Sequence, residues 1–357
     1  MRAEPIWSAL PERAQPPPSA AERAQAIARL EAWARARGAR FEALELVVDA
    51  AGNCSARARR AIAAGEPVVV MPRALVLSDG DLATTATGEP VPFGDAWRSP
   101  RDTLAVWLAL ESEQPDSPWR PFLDVLPAAF PDMPVYRGDD ALAPLAGTAA
   151  RLLAAEAHHD IVETYARLAA DVRARVGLAG YAWGRANVRS RGFNAPYTTA
   201  PRLAFIPIVD LMDHSPGDTT WRYDTAASEY VVSACRGFAP GEPVHFEYGA
   251  YSNTHLLVEY GFAFDTNSVH EAVLVVGDEP FLVDGGIDAR LLDLRERVGL
   301  VELAAAAETA LARLEVAAPA PVQDGAWARM CAAVRRSERA AVESILAWIA
   351  HERGQAI

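Results

Sequence analysis

The strand-like segments of this 357-residue chain are short, and they form two groups separated by a helix-rich stretch. Apolar residues and turn residues predict strands at residues 44–48 and 68–71, and again at 205–209, 230–232, 244–248 and 273–276. Residues 141–176, between the groups, are rich in alanine, leucine, arginine and glutamate, which favours one or two long helices. Short strands of this kind predict small, irregular sheets rather than repeated βαβ units. The expected fold class is therefore α+β.

Helices are also expected near both ends of the chain. Ser19 is a candidate N-cap for a helix that ends near Gly38. Residues 103–113 have apolar side chains on adjacent helical turns, and after Gly286 the spacing is mostly helical. Residues 57–65 are interpreted as a basic turn region between two strands.

Charge and cysteine usage argue against several classes of protein. The formal net charge of -13 repels a phosphate backbone, so nucleic acid is not expected as a partner, whereas a basic protein segment would be attracted. Cys54, Cys235 and Cys331 are far apart and form no CxxC pair, so neither a metal site nor a disulfide framework is predicted. The N-terminus has no signal-peptide pattern, and no apolar run is long enough to cross a bilayer. We expect a cytoplasmic protein without a membrane partner.

The chemically informative residues are concentrated in three segments of the second half. They read SRGF at 190–193, DLMDHS at 210–215 and YGAYSNTHLLVEYGF at 248–262. Taken singly, each has an ordinary interpretation: a solvated arginine, a capped loop and the end of a strand.

In this order and spacing the three segments resemble the SET-domain methyltransferases. The branch that they resemble includes the lysine methyltransferase of the plastid carboxylase large subunit and the actin-histidine methyltransferase, and it carries SRxF, DLxNHS and a YG…SN…LL…YGF block. WRPFL at 119–123 and IAAGEPVVVMP at 62–72 match as well. The resemblance covers most of the chain.

The resemblance implies a SET domain of short β-sheets with a pseudoknot, in which one segment threads beneath another, together with a helical insertion and a C-terminal helical domain. It divides the chain into an N-terminal helical arm (1–40), the first part of the SET domain (41–95), the helical insertion (96–180), the second part of the SET domain (181–276) and the C-terminal helical domain (277–357). The C-terminal helices are expected to contact a protein substrate.

The resemblance also implies a reaction, the transfer of a methyl group from S-adenosylmethionine to a protein side chain. Lysine is the expected acceptor, ahead of histidine, and no metal is expected. Direct displacement requires alignment of the nucleophile with the methyl group. A lysine must first lose its proton, and a poorly hydrated channel beside a sulfonium would lower the lysine pKa. Because every one of the 34 basic residues is arginine, the protein has no lysine of its own to methylate.

Five residues take functional roles from the resemblance. Tyr260 would orient the acceptor amine beside the methyl group, and Tyr248 would add a second polar contact in the channel. Arg191 would bind the cofactor carboxylate with its forked guanidinium. Phe193 would line the cofactor pocket, and His214 would present its backbone to the adenine. For the aromatic residues, core packing is the alternative interpretation.

Three further positions have an open interpretation. Asp210 could lie near the acceptor end of the channel or cap a turn. Asp213 stands where the family has asparagine, and a carboxylate can accept from the cofactor's ammonium but cannot donate as an amide does. The family's GxG element aligns with Asn53-Cys54-Ser55, so Asn53 and Ser55 would contact the cofactor and their Cβ atoms could crowd its methionine end. A shift of one residue would bring Gly52 into this role.

His245 and Glu247 share one face of the predicted strand 244–248, opposite Tyr248. Such a pair can transfer protons. A solvated strand face is the other interpretation, because Tyr248 is the residue expected to face the site.

Three functions are therefore compatible with the sequence. The first is a protein N-methyltransferase, which the retained Arg191, Tyr248 and Tyr260 favour. The second is a non-catalytic SET-fold module that binds a peptide, which the changed residues at Asn53 and Ser55 favour. The third is a small-molecule N-methyltransferase on the same frame.

Overall fold

A computed structural model describes residues 8–13, 17–82, 99–195, 202–277, 279–315 and 325–355. Its α-helices are α1 (Ala20–Arg35), α2 (Pro100–Glu111), α3 (Arg120–Leu123), α4 (Asp139–Leu142), α5 (Ala149–Arg167), α6 (Ala170–Arg191), α7 (Asn253–Tyr260), α8 (Ala289–Glu315) and α9 (Gly325–Gln355). Its strands are β1 (Leu44–Val48), β2 (Cys54–Ala58), β3 (Pro67–Pro72), β4 (Leu77–Ser78), β5 (Phe193–Asn194), β6 (Leu203–Phe205), β7 (Thr219–Asp224), β8 (Glu229–Ala234), β9 (Glu271–Val276) and β10 (Glu279–Asp284).

The chain divides into two compact units by its internal contacts. We call Glu12–Ala129 with Thr164–Ala250 the sheet unit, and Met1–Pro11 with Phe130–Glu163 and Tyr251–Ile357 the helical unit. The division after Ala250 falls inside residues 181–276, which the resemblance treats as one segment. The segment boundaries inferred from the sequence stay a prediction, and the boundary between residues 95 and 96 lies outside the described residues.

The sheet unit is built from small antiparallel sheets, because its strands are short. β1 and β2 form a hairpin, β8 lies between β3 and β7, and β6 lies between β4 and β5. The central strands are apolar and buried, with Val69 of β3 opposite Val232 of β8 and both 0% exposed. The α+β fold class expected from the sequence is confirmed.

The strand predicted at residues 205–209 is wrong beyond its first residue. β6 ends at Phe205, and Pro207 follows with no N–H to offer to a β-ladder. The chain then turns at Ile208, where φ is 71°, into a 3₁₀ turn at Val209–Leu211. The apolar character of these residues reflects burial in the core instead of strand pairing.

Two other local predictions are wrong in part. Residues 244–248 form no continuous strand: Phe246 makes an isolated bridge to His214, and the N–H of Val244 donates to the carbonyl of Ala56 (2.9 Å). The turn expected at 57–65 is wrong at Arg57 and Ala58, which end β2 and pair with β1, whereas the residues after Ala58 lie in no strand. In both places long-range contacts decide the backbone conformation, which a local pattern does not record.

Helices of the sheet unit are fixed by an N-cap and by a buried polar network. The predicted N-cap of α1 is confirmed, because the Ser19 hydroxyl accepts from the N–H of Glu22 and the Glu22 carboxylate accepts from the N–H of Ser19. α2 and α6 are joined by a buried network in which Asp102 Oδ1 accepts from Tyr181 Oη (2.6 Å) and from Arg185 Nη1 (2.7 Å). Removing one partner of such a pair leaves a buried charge and costs about 3–5 kcal/mol. This network fixes α6, whose last residue is Arg191.

The helical unit has an apolar core of its own. The β9–β10 hairpin packs with α8 and α9, and the larger side chains of the cluster that are 0% exposed are Leu274, Leu291, Leu303, Val342 and Ile345. Full burial of each such side chain contributes about 1.5–3 kcal/mol. This core holds α9 in place, and α9 in turn packs against α7.

No helix in the described ranges is both long enough and apolar enough to span a membrane. Among the same residues, no group of three or more His, Cys, Asp or Glu side chains is placed to hold a metal ion.

Candidate active site

The C-terminal end of α6 places Arg191 against the 3₁₀ turn that holds Asp210. Arg191 Nη1 donates to the carbonyl oxygen of Asp210 (2.5 Å) and lies 3.5 Å from its Oδ2. The Asp210 side chain is 0% exposed and that of Arg191 is 17% exposed. Arg191 Nε and Asp210 Oδ1 are buried without a hydrogen-bond partner among the described residues. Because buried polar atoms are nearly always paired, these two atoms indicate a place where a ligand binds.

The turn that carries Asp210 has a strained backbone. Ile208 has φ 71° and ψ -50°, values that a β-branched residue rarely adopts and that cost about 1–3 kcal/mol. Ile206, Ile208 and Val209 are 0% exposed, so their burial holds the turn in this conformation. The strain directs Asp210 into the interior, next to Arg191.

Arg23 of α1 belongs to the same cluster, and sequence reasoning missed it. The residue is 8% exposed, and its guanidinium donates to the carbonyl oxygen of Val125. Burial lowers the pKa of Arg23, the charge of Arg191 lowers it further, and Asp210 opposes the change. The sequence signal that could have identified Arg23 is its position on the apolar face of α1, one turn before Ile27. Burial of an arginine on such a face costs free energy unless the guanidinium has a partner.

Cys54 of β2 is the second residue that sequence reasoning missed. Burial raises the pKa of its thiol to about 12, and the thiol interacts electrostatically with Arg23, Asp213 and Asp210. Strand β2 also contacts the 3₁₀ turn of Asp210. The cluster therefore contains a neutral thiol beside two guanidiniums.

Asp210 is the fully buried carboxylate of this cluster. Burial raises its pKa to about 6, and Arg191 and Arg23 limit the rise. Asp213 lies near this cluster but is exposed to solvent. Partial desolvation by the surrounding protein atoms raises the pKa of Asp213 as well. Near neutral pH the cluster therefore has two guanidiniums, from the buried Arg23 and the partly exposed Arg191, beside the buried carboxylate of Asp210.

The DLMDHS segment and residues 246–248 run side by side within the sheet unit. His214 and Phe246 form a parallel bridge. The N–H of Phe246 donates to the carbonyl of Asp213 (2.8 Å), and the N–H of Ser215 donates to the carbonyl of Phe246 (3.3 Å). This pairing joins the second motif segment to the residues that lead into the third, more than 30 residues later in the sequence.

His214 fixes the backbone at Tyr248. Its Nδ1 accepts from the N–H of Tyr248 (3.1 Å) and is therefore the unprotonated ring nitrogen. Because neither Nδ1 nor the carbonyl oxygen of Phe246 then carries a hydrogen, the 3.4 Å contact between these two atoms is not a hydrogen bond. Burial lowers the pKa of His214, and its ring stacks on that of Tyr248 with centroids 5.0 Å apart. The imidazole thus positions Tyr248.

The hydroxyl of Tyr248 has a defined orientation. It donates to the carbonyl oxygen of Met212 (2.8 Å), and burial raises its pKa far above the ordinary value, so it remains a phenol. The ring of Phe246 lies beside it, and Phe193 of β5 meets Phe246 edge to face, with centroids 5.4 Å apart. Phe193 thereby belongs to the same aromatic group as Tyr248.

Asn53 and Ser55 do not have the surroundings of Cys54. Asn53 is exposed, and both its N–H and its side-chain amide donate to the carboxylate of Asp49, which closes the β1–β2 turn. Ser55 is half-buried in β2, opposite Val47. The structure places Cys54, rather than Asn53, in the Arg191 cluster. A cofactor contact by Asn53 or Ser55 stays a prediction.

His245 and Glu247 form no proton-transfer pair with each other. His245 Nδ1 lies 2.7 Å from Asp218 Oδ2, and Glu247 accepts from the N–H of Gly217 (3.2 Å). Asp218 also accepts from Arg236 (2.8 Å). These contacts hold the loop that follows the DLMDHS segment, which is a structural role.

Tyr260 is the last residue of α7 in the helical unit. Its ring lies among the rings of Tyr251, His255 and Phe262, with centroids 6.1, 6.3 and 6.1 Å away. All four residues are partly exposed. Tyr260 therefore ends a short helix within an accessible aromatic group, and its role in the reaction stays a prediction.

The SN and YGF residues of the third motif have clear local functions. The Asn253 side chain accepts from the N–H of Phe264 (3.0 Å) and donates to its carbonyl (2.9 Å), which folds the chain back along α7. Gly261 caps α7 with φ 81°. A Cβ at this position would lie 3.2 Å from the backbone of Asp132 and 3.3 Å from that of Met133. Glycine is required here for both conformation and space.

Known structures of similar shape are SET domains. The chain superposes on the SET domain of LSMT bound to lysine and AdoHcy with a TM-score of 0.67 and 16% sequence identity, covering 92% of both chains. It superposes on Rubisco LSMT bound to sinefungin and monomethyllysine with a TM-score of 0.69 and 16% identity, again covering 92% of both chains. The fold of this chain is that of the SET-domain methyltransferases.

Sequence comparison points to a related group. The chain is 28% identical over 265 residues to the actin-histidine N-methyltransferase of Rhinolophus ferrumequinum, which is 68% of this chain and 43% of that protein. It is 28% identical over 304 residues to the protein of that name from Drosophila melanogaster, which is 77% of this chain and 56% of that protein. The chain thus spans about half the length of these relatives. No protein-family model matches the sequence. The resemblance to SET-domain methyltransferases is confirmed.

Proposed function

We propose that this protein transfers a methyl group from S-adenosylmethionine to a nitrogen of a protein side chain. The observation that carries the proposal is the cluster of Arg23, Arg191 and Asp210. The guanidiniums of the buried Arg23 and the partly exposed Arg191 lie beside the buried carboxylate of Asp210. Arg191 Nε and Asp210 Oδ1 have no partner among the described residues. The methionine end of the cofactor carries a carboxylate and an ammonium, the two groups that such atoms bind.

The residues present fit this cofactor. Arg191 and Arg23 would hold its carboxylate, and Asp210 and Asp213 would accept from its ammonium. The replacement of asparagine by Asp213 keeps the acceptor that this contact needs. The neutral thiol of Cys54 adds no charge to the site. The changed Asn53-Cys54-Ser55 segment is therefore compatible with binding, because the exposed Asn53 is held by Asp49.

When bound, S-adenosylmethionine supplies an electrophilic methyl group on a sulfonium. The chain's own residues would orient the acceptor and exclude water from it. Tyr260 would hold the acceptor nitrogen through its hydroxyl. Tyr248 would orient the carbonyl group of Met212, to which its hydroxyl donates at 2.8 Å. It would remain a neutral phenol, because burial raises its pKa. Phe193 would cover the cofactor pocket together with Phe246.

Lysine is the acceptor that we propose first, and histidine is the second candidate. Solved structures of this fold contain lysine or monomethyllysine, which supports a lysine acceptor. The relatives named actin-histidine N-methyltransferases support histidine. An imidazole, with an ordinary pKa near 6.5, is mostly neutral at pH 7, whereas a lysine must be deprotonated in the channel. The net charge of -13 favours a basic protein segment as the partner.

The proposal is tested first by calorimetric titration with S-adenosylmethionine. We expect a dissociation constant of roughly 1 to 50 μM, near -6 to -8 kcal/mol. The protein is then incubated with labelled cofactor and a lysate of its source, and the labelled product is hydrolysed and resolved into methyl-lysine and methyl-histidine. Label in methyl-histidine alone would reject the lysine acceptor and support the second candidate.

Two outcomes would contradict the proposal itself. If no heat of binding is measured and excess cofactor does not raise the unfolding temperature, the chain is better described as a SET-fold binding module. If label enters only low-molecular-weight products, the chain is a small-molecule N-methyltransferase.

A further inference from the structure

The first turn of α7 is held by a buried carboxylate from another helix. Glu338 of α9 is 2% exposed, and its Oε1 accepts from the Thr254 hydroxyl (2.6 Å). The same carboxylate accepts from the N–H of Ala149 (2.7 Å) and of Ala150 (3.1 Å) at the N-terminus of α5. One side chain therefore connects α5, α7 and α9 within the helical unit.

A glutamate at this junction is costly. Burial raises the pKa of Glu338 to about 7, while the donors from Thr254, Ala149 and Ala150 oppose the rise. An apolar side chain would fill the same space without desolvating a charge. What glutamate adds is direction, because its two oxygens fix donors from two different helices at hydrogen-bonding distance.

The turn held by Glu338 begins the short helix that ends at Tyr260. Thr254 and Tyr260 are at opposite ends of α7, roughly 9 Å apart along a helix that rises 1.5 Å per residue. A tilt of about 10° at Thr254 would move Tyr260 by roughly 1.5 Å over this length. Displacement of a catalytic group by about 1 Å can reduce a rate about a hundredfold.

The N-terminus of α7 has other restraints, which act in the same direction. Ser252 donates to Glu271 of β9 (2.5 Å), and Asn253 binds the backbone of Phe264. These contacts connect α7 to the β9–β10 hairpin and to the loop that follows α7. The bond from Thr254 to Glu338 ties it to α9 and α5.

We propose that Glu338 and Thr254 are positioning residues that set the place of Tyr260 for methyl transfer. The inference rests on the proposed function, in which Tyr260 holds the acceptor nitrogen. Neither residue is assigned a contact with the substrate or the cofactor. Their effect on the reaction is exerted through α7.

The first test compares Thr254→Val, Thr254→Ser and a matched control, Thr148→Val. Thr148 is 0% exposed, and its hydroxyl donates to Leu145 and accepts from Arg151 at the start of α5. We expect Thr254→Val to lower kcat by about 10- to 100-fold. Affinity for S-adenosylmethionine, which we assign to the sheet unit, should stay within about twofold. Thr254→Ser should restore kcat, because it keeps the hydroxyl, and Thr148→Val should leave kcat close to that of the wild type.

A second readout does not depend on activity. Amide hydrogen exchange in α7 should be at least about tenfold faster in Thr254→Val and in Glu338→Gln than in Thr148→Val, because local opening is easier when a buried bond is lost. Glu338→Gln tests the role of the carboxylate as a hydrogen-bond acceptor. The amide NH2 of glutamine cannot accept a hydrogen bond, so one of the present donors would lose its partner.

The outcomes separate the two proposals. The positioning inference would be overturned by unchanged hydrogen exchange in α7, or by a Thr254→Ser enzyme that is as slow as Thr254→Val. If the wild-type protein still transfers methyl groups, the proposed function is not affected by either result. A wild-type protein that transfers no methyl group would refute the proposed function and with it the catalytic purpose of the pair, and exchange would then still show whether the bond holds α7.

Discussion

Arg191 and Asp210 meet through a single guanidinium nitrogen, Nη1, which lies 2.5 Å from the Asp210 carbonyl oxygen and 3.5 Å from Oδ2. A forked guanidinium and a carboxylate usually form two parallel hydrogen bonds. Here Arg191 Nε and Asp210 Oδ1 have no partner among the described residues. In the proposed function, these two side chains would contact the carboxylate and the ammonium at the methionine end of the cofactor.

Replacement of Arg191 should weaken cofactor binding. Arg191→Ala is expected to raise the dissociation constant for S-adenosylmethionine by about 10- to 100-fold, since a hydrogen bond to a charged group contributes about 1.5–3 kcal/mol. Arg23→Gln should act in the same direction. Calorimetric titration measures both effects. The control is Arg222→Ala, which removes an exposed arginine paired with Asp224. An Arg191→Ala protein that binds as tightly as this control would reject the role of Arg191.

The two tyrosines should differ in importance. Tyr260→Phe is expected to lower kcat by about 100-fold with little change in cofactor affinity, because the lost hydroxyl orients the reacting nitrogen. Tyr248→Phe should have a smaller effect, because its hydroxyl donates to the Met212 carbonyl. Steady-state kinetics with an identified substrate separates kcat from KM. Full activity of Tyr260→Phe would show that another group orients the acceptor.

The pKa of Asp210 predicts a pH dependence of stability in the cofactor-free protein. Burial raises this pKa from 3.8 to about 6. A carboxyl whose folded pKa is raised binds its proton more tightly in the folded state, so its stabilising contribution is complete below the unfolded pKa and is lost as pH rises through the folded pKa. The unfolding temperature of the wild type relative to Asp210→Asn should therefore fall between about pH 4 and pH 6 and then become constant. A difference that grows over this range would mean that Arg191 and Arg23 lower the pKa instead.

Gly261 should be more sensitive to substitution than another glycine with the same backbone conformation. Its φ is 81°, and an added Cβ would lie 3.2 Å from the backbone of Asp132, whereas Gly65 has φ 82° and no atom within 4 Å of such a Cβ. Gly65→Ala measures the conformational strain, about 1 kcal/mol or more. Gly261→Ala should show a lower urea midpoint than Gly65→Ala because the backbone must also move. Equal midpoints would mean that residues 132–133 shift at no cost.

The absence of lysine from the sequence allows a simple test of the acceptor. The chain has seven histidines and only arginine as its strongly basic residue. A lysine-specific enzyme incubated alone with S-adenosylmethionine should therefore remain unmodified, as judged by mass spectrometry of its peptides. A methyl group on one of its own histidines would instead favour histidine as the acceptor, and its position would show which segment reaches the site.

Much of the fold could be predicted from local patterns. The α+β class, β1 at Leu44–Val48 and the N-cap at Ser19 depend on residue spacing within a few turns or strands. The wrong strand at 205–209 shows the limit, because the run of apolar residues around Pro207 and Ile208 indicates burial, and burial alone does not distinguish a strand from a turn.

The sequence by itself determined the motif residues, because Arg191, His214, Tyr248 and Tyr260 occur in the order and spacing of the SET methyltransferases. Only the tertiary structure decided that Arg23 and Cys54 join Arg191 and Asp210, and that Glu338 holds the first turn of α7. The physical reason is that burial, charge interactions and hydrogen bonds between distant segments depend on how the chain packs. A residue's neighbours in sequence do not specify these contacts.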